Sequence, residues 1–176
     1  MSKNSADIGL SAIDSTILQL KQAPATAVSS ARKYRLLARL YRLQASKSVW
    51  RTRIRGSYSD ALYHNYNAIN QNPYNLQAWI LNLDLQQALS VELEQQQWSL
   101  ANVLSLGKWN LEAMRFGGFY CVLYWHKLSD SIQDQCRITL DNVQADTTYN
   151  RHFLNSLRTI GDYEAILSQA RKPKGE

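Results

Sequence analysis

The chain has 176 residues, of which 45% are hydrophobic and 19% charged, a composition typical of one folded domain and not of a disordered chain. Its 7 glycines and 3 prolines are too few for an all-β fold, which needs turn residues every 8–12 positions or so, and they favour long helices. The net charge is +6, and the positive excess is concentrated, since no acidic residue lies between Asp14 and Asp60. A binding site for an oppositely charged partner is therefore expected in this basic segment.

The first predicted element is an amphipathic helix. Its apolar stripe is spaced 3, 4 and 3 residues apart, at Leu10, Ile13, Ile17 and Leu20. The helix should end near Pro24, in a stretch of small residues that acts as a linker. Residues 1–30 are thus expected to form an N-terminal helix with its linker.

Residues 31–170 are expected to form one helical domain, followed by a frayed tail at 171–176. A helix over about 31–45 alternates apolar residues with arginines, and the register of residues 47–56 is open. A helix over about 58–70 is stopped by Asn72-Pro73, because proline disfavours a helical residue before it. Asn75 should cap the next helix, which runs to about residue 89.

The second half continues the helical pattern. Ser90 is predicted to begin a helix that Gly107 ends, and residues 109–128 to form a long apolar helix. Gly117 and Gly118 either weaken that helix or let a neighbour approach closely. Further helices are expected over about 130–145, from Asp146 or Thr147 to Gly161, and from Asp162 onward. About eight helices joined in antiparallel pairs would form a solenoid or a compact bundle.

One segment carries a repeat signature. Residues 58–79 contain Tyr58, Asp60-Ala61, Ala68, Asn72-Pro73, Asn75 and Ala78-Trp79, and this pattern resembles the junction of two tetratricopeptide repeats (TPRs). Small alanines let paired helices approach, the proline separates the units, and the tryptophan fills the space between hairpins. The expected fold is therefore all-α, with antiparallel helical hairpins stacked as a TPR-like solenoid.

Residues 58–170 are also similar to small repeat-like accessory proteins of bacterial exopolysaccharide and O-antigen assembly clusters. The likeness runs through Asn72-Pro73, Ala78-Trp79, the Leu106-Gly107-Lys108-Trp109 step, the Trp125…Leu128-Ser129 step and Arg158…Gly161-Asp162. The resemblance implies a protein–protein adaptor near an envelope assembly machine. It implies no catalytic residue.

The basic segment is the first candidate binding surface. Its guanidinium groups would suit an acidic protein or anionic lipid head groups, with nucleic acid as a weaker alternative. A solvated helix face that covers apolar surface is the other interpretation. The candidate residues are Arg32, Arg35, Arg39, Arg42, Trp50, Arg51, Arg53 and Arg55.

A second candidate surface is a concave helical face around residues 63–75. Tyr63, Asn67 and Asn70 could grip the backbone of a bound peptide, since asparagine both donates and accepts hydrogen bonds. The alternative is local capping and turn chemistry, which we expect for Asn72 and Asn75.

Other residues favour structural roles. Tryptophans can line a ligand groove, but Trp79, Trp98, Trp109 and Trp125 are predicted to pack in the core and between hairpins, with Trp50 as the exception among charges. Cys121 and Cys136 lie on either side of a predicted turn and could either pair or remain buried thiols. No catalytic, metal-binding or cofactor-binding motif is recognisable, so a non-enzymatic protein without cofactors is expected.

The sequence thus predicts a non-catalytic helical-repeat adaptor in bacterial envelope polysaccharide biosynthesis or export, with membrane-associated assembly proteins as partners. A generic cytoplasmic adaptor or chaperone-like subunit and a nucleic-acid-associated helical protein are the alternatives. A soluble, cytoplasmic location is expected by default. The periplasmic face of the inner membrane is the alternative if an upstream anchor precedes the chain.

Overall fold

The structure is a computed structural model, and it describes residues 5–24, 29–145, 147–160 and 163–171. Those residues form nine α-helices and one short 3-10 helix, with no strand, which confirms the all-α prediction. The predicted boundaries at Asp146, Gly161 and Asp162, and the predicted tail after residue 171, lie outside the described residues. The chain divides into two compact units, Met1–Glu92 and Leu93–Glu176. The division expected at residue 30 stays a prediction.

The first unit contains four helices: α1 (Ser5–Gln22), α2 (Ser30–Lys47), α3 (Arg51–Gln71) and α4 (Leu76–Ala88). Each packs against the next along the chain. The α2 and α3 helices are antiparallel, because Gln44 contacts Ser57 whereas Tyr34, earlier on α2, contacts His64, later on α3. The short connection at residues 48–50 is typical of such a hairpin.

The core of the first unit combines an apolar cluster with a buried amide pair. Its buried members are Ile13, Ile17, Leu37, Tyr41, Ala61 and Leu85. Asn65 is fully buried, and its Nδ2 donates to the carbonyl oxygen of Ala78 and to Oδ1 of Asn82. Because a buried amide is costly without partners, these bonds fix α3 against α4.

Helix ends in the first unit follow capping chemistry. Asn75 caps α4 as predicted, with its side-chain oxygen accepting from the backbone N–H of Ala78. The prediction that Ser90 begins the next helix is wrong. Ser90 has φ of 53°, and the N–H groups of Ser90 and Val91 donate to the carbonyls of Gln87 and Gln86. This is the Schellman arrangement that ends a helix, so Ser90 terminates α4.

The second unit contains α5 (Leu93–Leu106), α6 (Leu111–Tyr124), a 3-10 turn (Trp125–Lys127), α7 (Asp130–Ala145), α8 (Thr147–Arg158) and α9 (Tyr163–Arg171). The α7 helix packs against α5, α6, α8 and α9 and is the centre of this unit. Gly107 follows the last residue of α5, as predicted. The apolar helix predicted over residues 109–128 is shorter than expected. Asn110 caps α6 at its start, and the chain changes from α-helix to 3-10 helix at Trp125.

A glycine and a disulfide bring α6 close to α5 and α7. A Cβ atom built on Gly117 would lie 2.7 Å from Cδ2 of Leu104 on α5, so the glycine permits the close approach considered from the sequence. Cys121 on α6 and Cys136 on α7 form a disulfide with their Cα atoms 5.6 Å apart, and both side chains are fully buried. The sequence left open whether the two cysteines form a disulfide or remain buried thiols, and the structure contains the disulfide.

The tryptophan prediction is half right. Trp79 and Trp125 are buried in their units. Trp98 and Trp109 are 56% and 80% exposed, so the core prediction is wrong for both. Trp109 lies in the turn between α5 and α6, where no helix face buries it, and the ammonium of Lys108 lies 5.2 Å from its ring centroid. Trp98 lies on the side of α5 opposite to its buried residues.

Candidate protein-interaction surface

The arginine face, which we define as Arg32, Arg35 and Arg39, runs along α2. Its spacing of three and four residues puts the three side chains on one stripe of the helix. The buried residues of α2 lie on a different side of the helix, which faces the core. Arg32 and Arg39 are exposed, Arg35 is half-buried, and none of the three forms an ion pair within the described residues. The face therefore presents unpaired guanidinium groups.

Two of the predicted binding arginines hold the first unit together instead. Arg42 on α2 donates from Nε to Oδ2 of Asp84 on α4, and this contact raises the pKa of the guanidinium. Arg53 on α3 donates from Nη2 to both carboxylate oxygens of Asp14 on α1, at 2.7 and 3.0 Å. Both pairs are partly exposed, so each stabilises the fold modestly.

The start of α3 adds exposed groups to the surface. Trp50 precedes the helix in extended conformation and is 72% exposed. Arg51 and Arg55, one turn apart, are exposed and form no ion pair among the described residues. An exposed indole next to guanidinium groups is typical of interface anchors, because tryptophan and arginine dominate binding energy at protein interfaces.

The predicted residues of the concave face share one side of α3. Tyr63, Asn67 and Asn70 are spaced by four and three residues, and Tyr63 is 64% exposed. The Nδ2 of Asn67 donates to the carbonyl oxygen of Tyr63, so one of its donors is used within the helix. Asn70 is exposed. This stripe is opposite to the buried side of α3, so its outer surface faces solvent.

An aromatic cluster that the sequence did not reveal lies between α2 and α3. The ring of His64 stacks on Tyr41 at 5.5 Å and on Tyr34 at 6.0 Å, and meets the edge of Tyr63 at 5.2 Å. Burial lowers the pKa of His64, and the nearby charge of Lys21 lowers it further, against a smaller opposite effect of Asp60. The two stacking contacts join residues 23 and 30 positions apart, and no local sequence pattern signals them.

This surface presents guanidinium groups and exposed aromatic side chains. Within the described residues, no group of histidine, cysteine, aspartate and glutamate side chains is arranged to hold a metal ion. Among the helices that the structure describes, none is both long and apolar enough to cross a membrane. Guanidinium groups bind carboxylates and phosphates through two parallel N–H donors, so an acidic ligand suits the arginine face.

Comparison with protein-family models, with curated proteins and with solved structures found no match for this chain.

Proposed function

We propose that this chain is a non-catalytic adaptor whose helices stack as TPR-like hairpins and whose arginine face binds an acidic surface of a partner protein. The partner is a membrane-associated component of bacterial envelope polysaccharide biosynthesis or export. The resemblance of residues 58–170 to accessory proteins of such systems supplies this biological setting. The packing of α1 on α2, α2 on α3 and α3 on α4 supports the hairpin arrangement in the first unit.

One observation carries the proposal. Arg42 and Arg53 have acidic partners inside the unit, whereas Arg32, Arg39, Arg51 and Arg55 are exposed without one among the described residues. The first two arginines therefore have a role in stabilising the fold. The other four have no such ion pair among the described residues, so they are available to bind a partner. A run of unpaired cations raises the rate of encounter with an acidic surface and fixes its orientation.

The disulfide supports a location on the oxidising side of the inner membrane. Disulfides persist in the periplasm and are rare in the reducing cytosol. Cys121 and Cys136 are fully buried as a pair, so this bond has a structural position in the second unit. A location at the periplasmic face would place the adaptor beside envelope assembly proteins.

Affinity capture from detergent-solubilised membranes tests the proposal. The wild-type chain is compared with Arg32→Glu/Arg39→Glu, and the matched control is Lys127→Glu/Arg151→Glu, which reverses two exposed charges in the second unit. We expect the wild type and the control to recover polysaccharide polymerisation or export components. The arginine variant should lose them, because the reversed charges repel an acidic surface.

Two outcomes would contradict the proposal. Recovery of ribosomal or DNA-bound proteins alone would assign the arginines to nucleic acid, and that binding should weaken steeply with salt. Equal recovery by the arginine variant and the wild type would show that the arginine face does not contact the partner.

A further inference from the structure

The turn between α2 and α3 presents two exposed apolar side chains next to each other. Val49 is 82% exposed and Trp50 is 72% exposed, whereas Ser48, which precedes them, is buried. The N–H of Ser48 donates to the carbonyl oxygen of Ala45, and the carbonyl oxygen of Trp50 accepts from the N–H of Ile54. Both ends of the turn are therefore fixed by the helices, and the apolar pair lies at the end of the antiparallel hairpin.

Basic side chains surround this apolar pair. Lys47 ends α2, and Arg51 and Arg55 lie in the first two turns of α3. All three are exposed, and none forms an ion pair within the described residues. The carboxylate of Asp14, which contacts this end of the hairpin, is paired with Arg53. We define the hairpin tip as the apolar pair with its three unpaired cations: Lys47, Val49, Trp50, Arg51 and Arg55.

The positions of these groups along the hairpin match the layers of a bilayer surface. Apolar groups of interfacial proteins lie about 5–10 Å deep, at the boundary between headgroups and acyl chains. At a helical rise of about 1.5 Å per residue, Arg55 is about 7.5 Å along α3 from Trp50. With the tip directed at the membrane, the indole reaches this boundary while the cations meet the lipid phosphates. Tryptophan is enriched at this depth, and long basic side chains extend their charges toward the headgroups.

An anionic lipid surface fits the hairpin tip better than a protein pocket does. The centre of a protein interface is depleted of charged residues, and a partner protein would need a cavity for the indole with an acidic group opposite each cation. A bilayer accommodates a convex apolar tip, and the phosphates around it accept hydrogen bonds from guanidinium and ammonium groups. No acidic residue lies between Asp14 and Asp60 in the sequence, so this segment carries no carboxylate that an anionic surface would repel.

We propose that the hairpin tip binds the surface of an anionic membrane, with its apolar pair inserted at the interface and its three cations on lipid phosphates. The arginine face remains clear of that membrane. Arg39, its nearest member, lies about 12 Å along α2 from Lys47, beyond the Debye length of about 8 Å in physiological salt. The inference therefore goes beyond the adaptor proposal, because it concerns a different surface and a different class of ligand.

Co-sedimentation of the full chain with lipid vesicles tests the proposal without any partner protein. We expect binding to vesicles of equimolar phosphatidylcholine and phosphatidylglycerol, and none to vesicles of phosphatidylcholine alone. Arg51→Gln/Arg55→Gln should weaken binding about 25-fold, since each cation near an anionic surface contributes about fivefold. Trp50→Ala should weaken it about tenfold or more, because the buried indole is lost. Trp109→Ala, which removes an indole of similar exposure from the second unit, should have no effect.

A fluorophore at the hairpin tip reports insertion directly. The environment-sensitive dye nitrobenzoxadiazole is attached to Val49→Cys and, as the matched control, to Tyr74→Cys in the turn between α3 and α4, since both native side chains are 82% exposed. The native cysteines are paired and fully buried, so the dye reacts with the introduced thiol. With the anionic vesicles, emission from position 49 should shift to shorter wavelength and emission from position 74 should not.

Three results would overturn the proposal: no binding of the wild-type chain to the anionic vesicles, equal binding by Trp50→Ala and Trp109→Ala, or the same dye response at both positions. Loss of a captured protein by Trp50→Ala, with vesicle binding unchanged, would assign the hairpin tip to a protein surface and overturn the lipid assignment. A negative vesicle result leaves the adaptor proposal standing, because that proposal is tested separately through Arg32→Glu/Arg39→Glu.

Discussion

His64 shows how a single residue depends on contacts that are distant in sequence. Its ring lies between two tyrosines of α2, with Tyr63 at its edge, Lys21 and Asp60 nearby, and Nδ1 buried without a hydrogen-bond partner among the described residues. Burial favours the neutral imidazole, and the positive charge of Lys21 disfavours a second cation. The folded protein therefore holds His64 neutral at pH values where the unfolded chain binds a proton.

The lowered pKa of His64 has a consequence for stability. As pH falls below the ordinary histidine value of 6.5, the unfolded chain takes up a proton that the folded chain resists, so the free energy of unfolding decreases. We expect His64→Gln to show a shallower loss of stability between about pH 7 and pH 5. Urea unfolding across this range measures it, and identical slopes for both proteins would contradict the prediction.

Gly117 and Gly118 are adjacent but differ in surroundings. A Cβ on Gly118 would make ordinary contacts, the nearest at 3.5 Å from the ring of Phe153, whereas a Cβ on Gly117 would collide with Leu104. Gly118→Ala should stabilise the protein by about 0.5–1 kcal/mol through helix propensity. Gly117→Ala should be less stable than Gly118→Ala by about 1 kcal/mol or more, because Leu104 must move. Equal denaturation midpoints would refute the close packing of α5 and α6.

At the scale of elements, the end of α4 depends on an unusual backbone conformation. Ser90 is the one described residue other than glycine with positive φ. Ser90→Gly should raise the free energy of unfolding by about 0.5–1 kcal/mol, because glycine adopts this conformation without a Cβ penalty. Ser90→Ala is the control and should give no gain. Chemical denaturation compares the three proteins, and a gain with alanine equal to that with glycine would exclude backbone strain as the cause.

The disulfide links α6 to α7 across a sequence separation of 15 residues. Closing a loop of this length restricts the unfolded chain and should contribute about 3 kcal/mol to stability. We expect the oxidised protein to unfold at higher urea concentration than the reduced protein. Cys121→Ala/Cys136→Ala should be insensitive to reductant, and a reductant effect on this variant would show that the cysteines are not its target.

Sequence periodicity predicted elements well where a helix has one clear buried side. In α4, the Asn75 cap and the buried Trp79 are as expected. Periodicity failed where the outcome depended on a neighbour, as for Trp98, which is apolar yet has its side of α5 exposed. Which side of a helix is covered depends on tertiary packing, and a single helix does not carry that information.

For the whole molecule, the candidate surface was predictable only in outline. Charge composition pointed to the basic segment, and the spacing of Arg32, Arg35 and Arg39 gave a common stripe. The internal pairs of Arg42 and Arg53 join residues 42 and 39 positions apart, so only the folded chain distinguishes them from the exposed arginines. The aromatic cluster around His64 was missed for the same reason.

Site-specific photo-cross-linking in living cells tests most directly whether a partner protein contacts the outer side of α2, as we propose. Leu43 lies on the same stripe as the arginine face and is 43% exposed, so p-benzoylphenylalanine there leaves every arginine in place. Leu123 in the second unit, at 42% exposure, is the matched control position. We predict a cross-linked adduct with an envelope polysaccharide assembly protein from position 43 and none from position 123. Adducts from position 123 alone, or cross-links from position 43 to nucleic acid, would contradict the account.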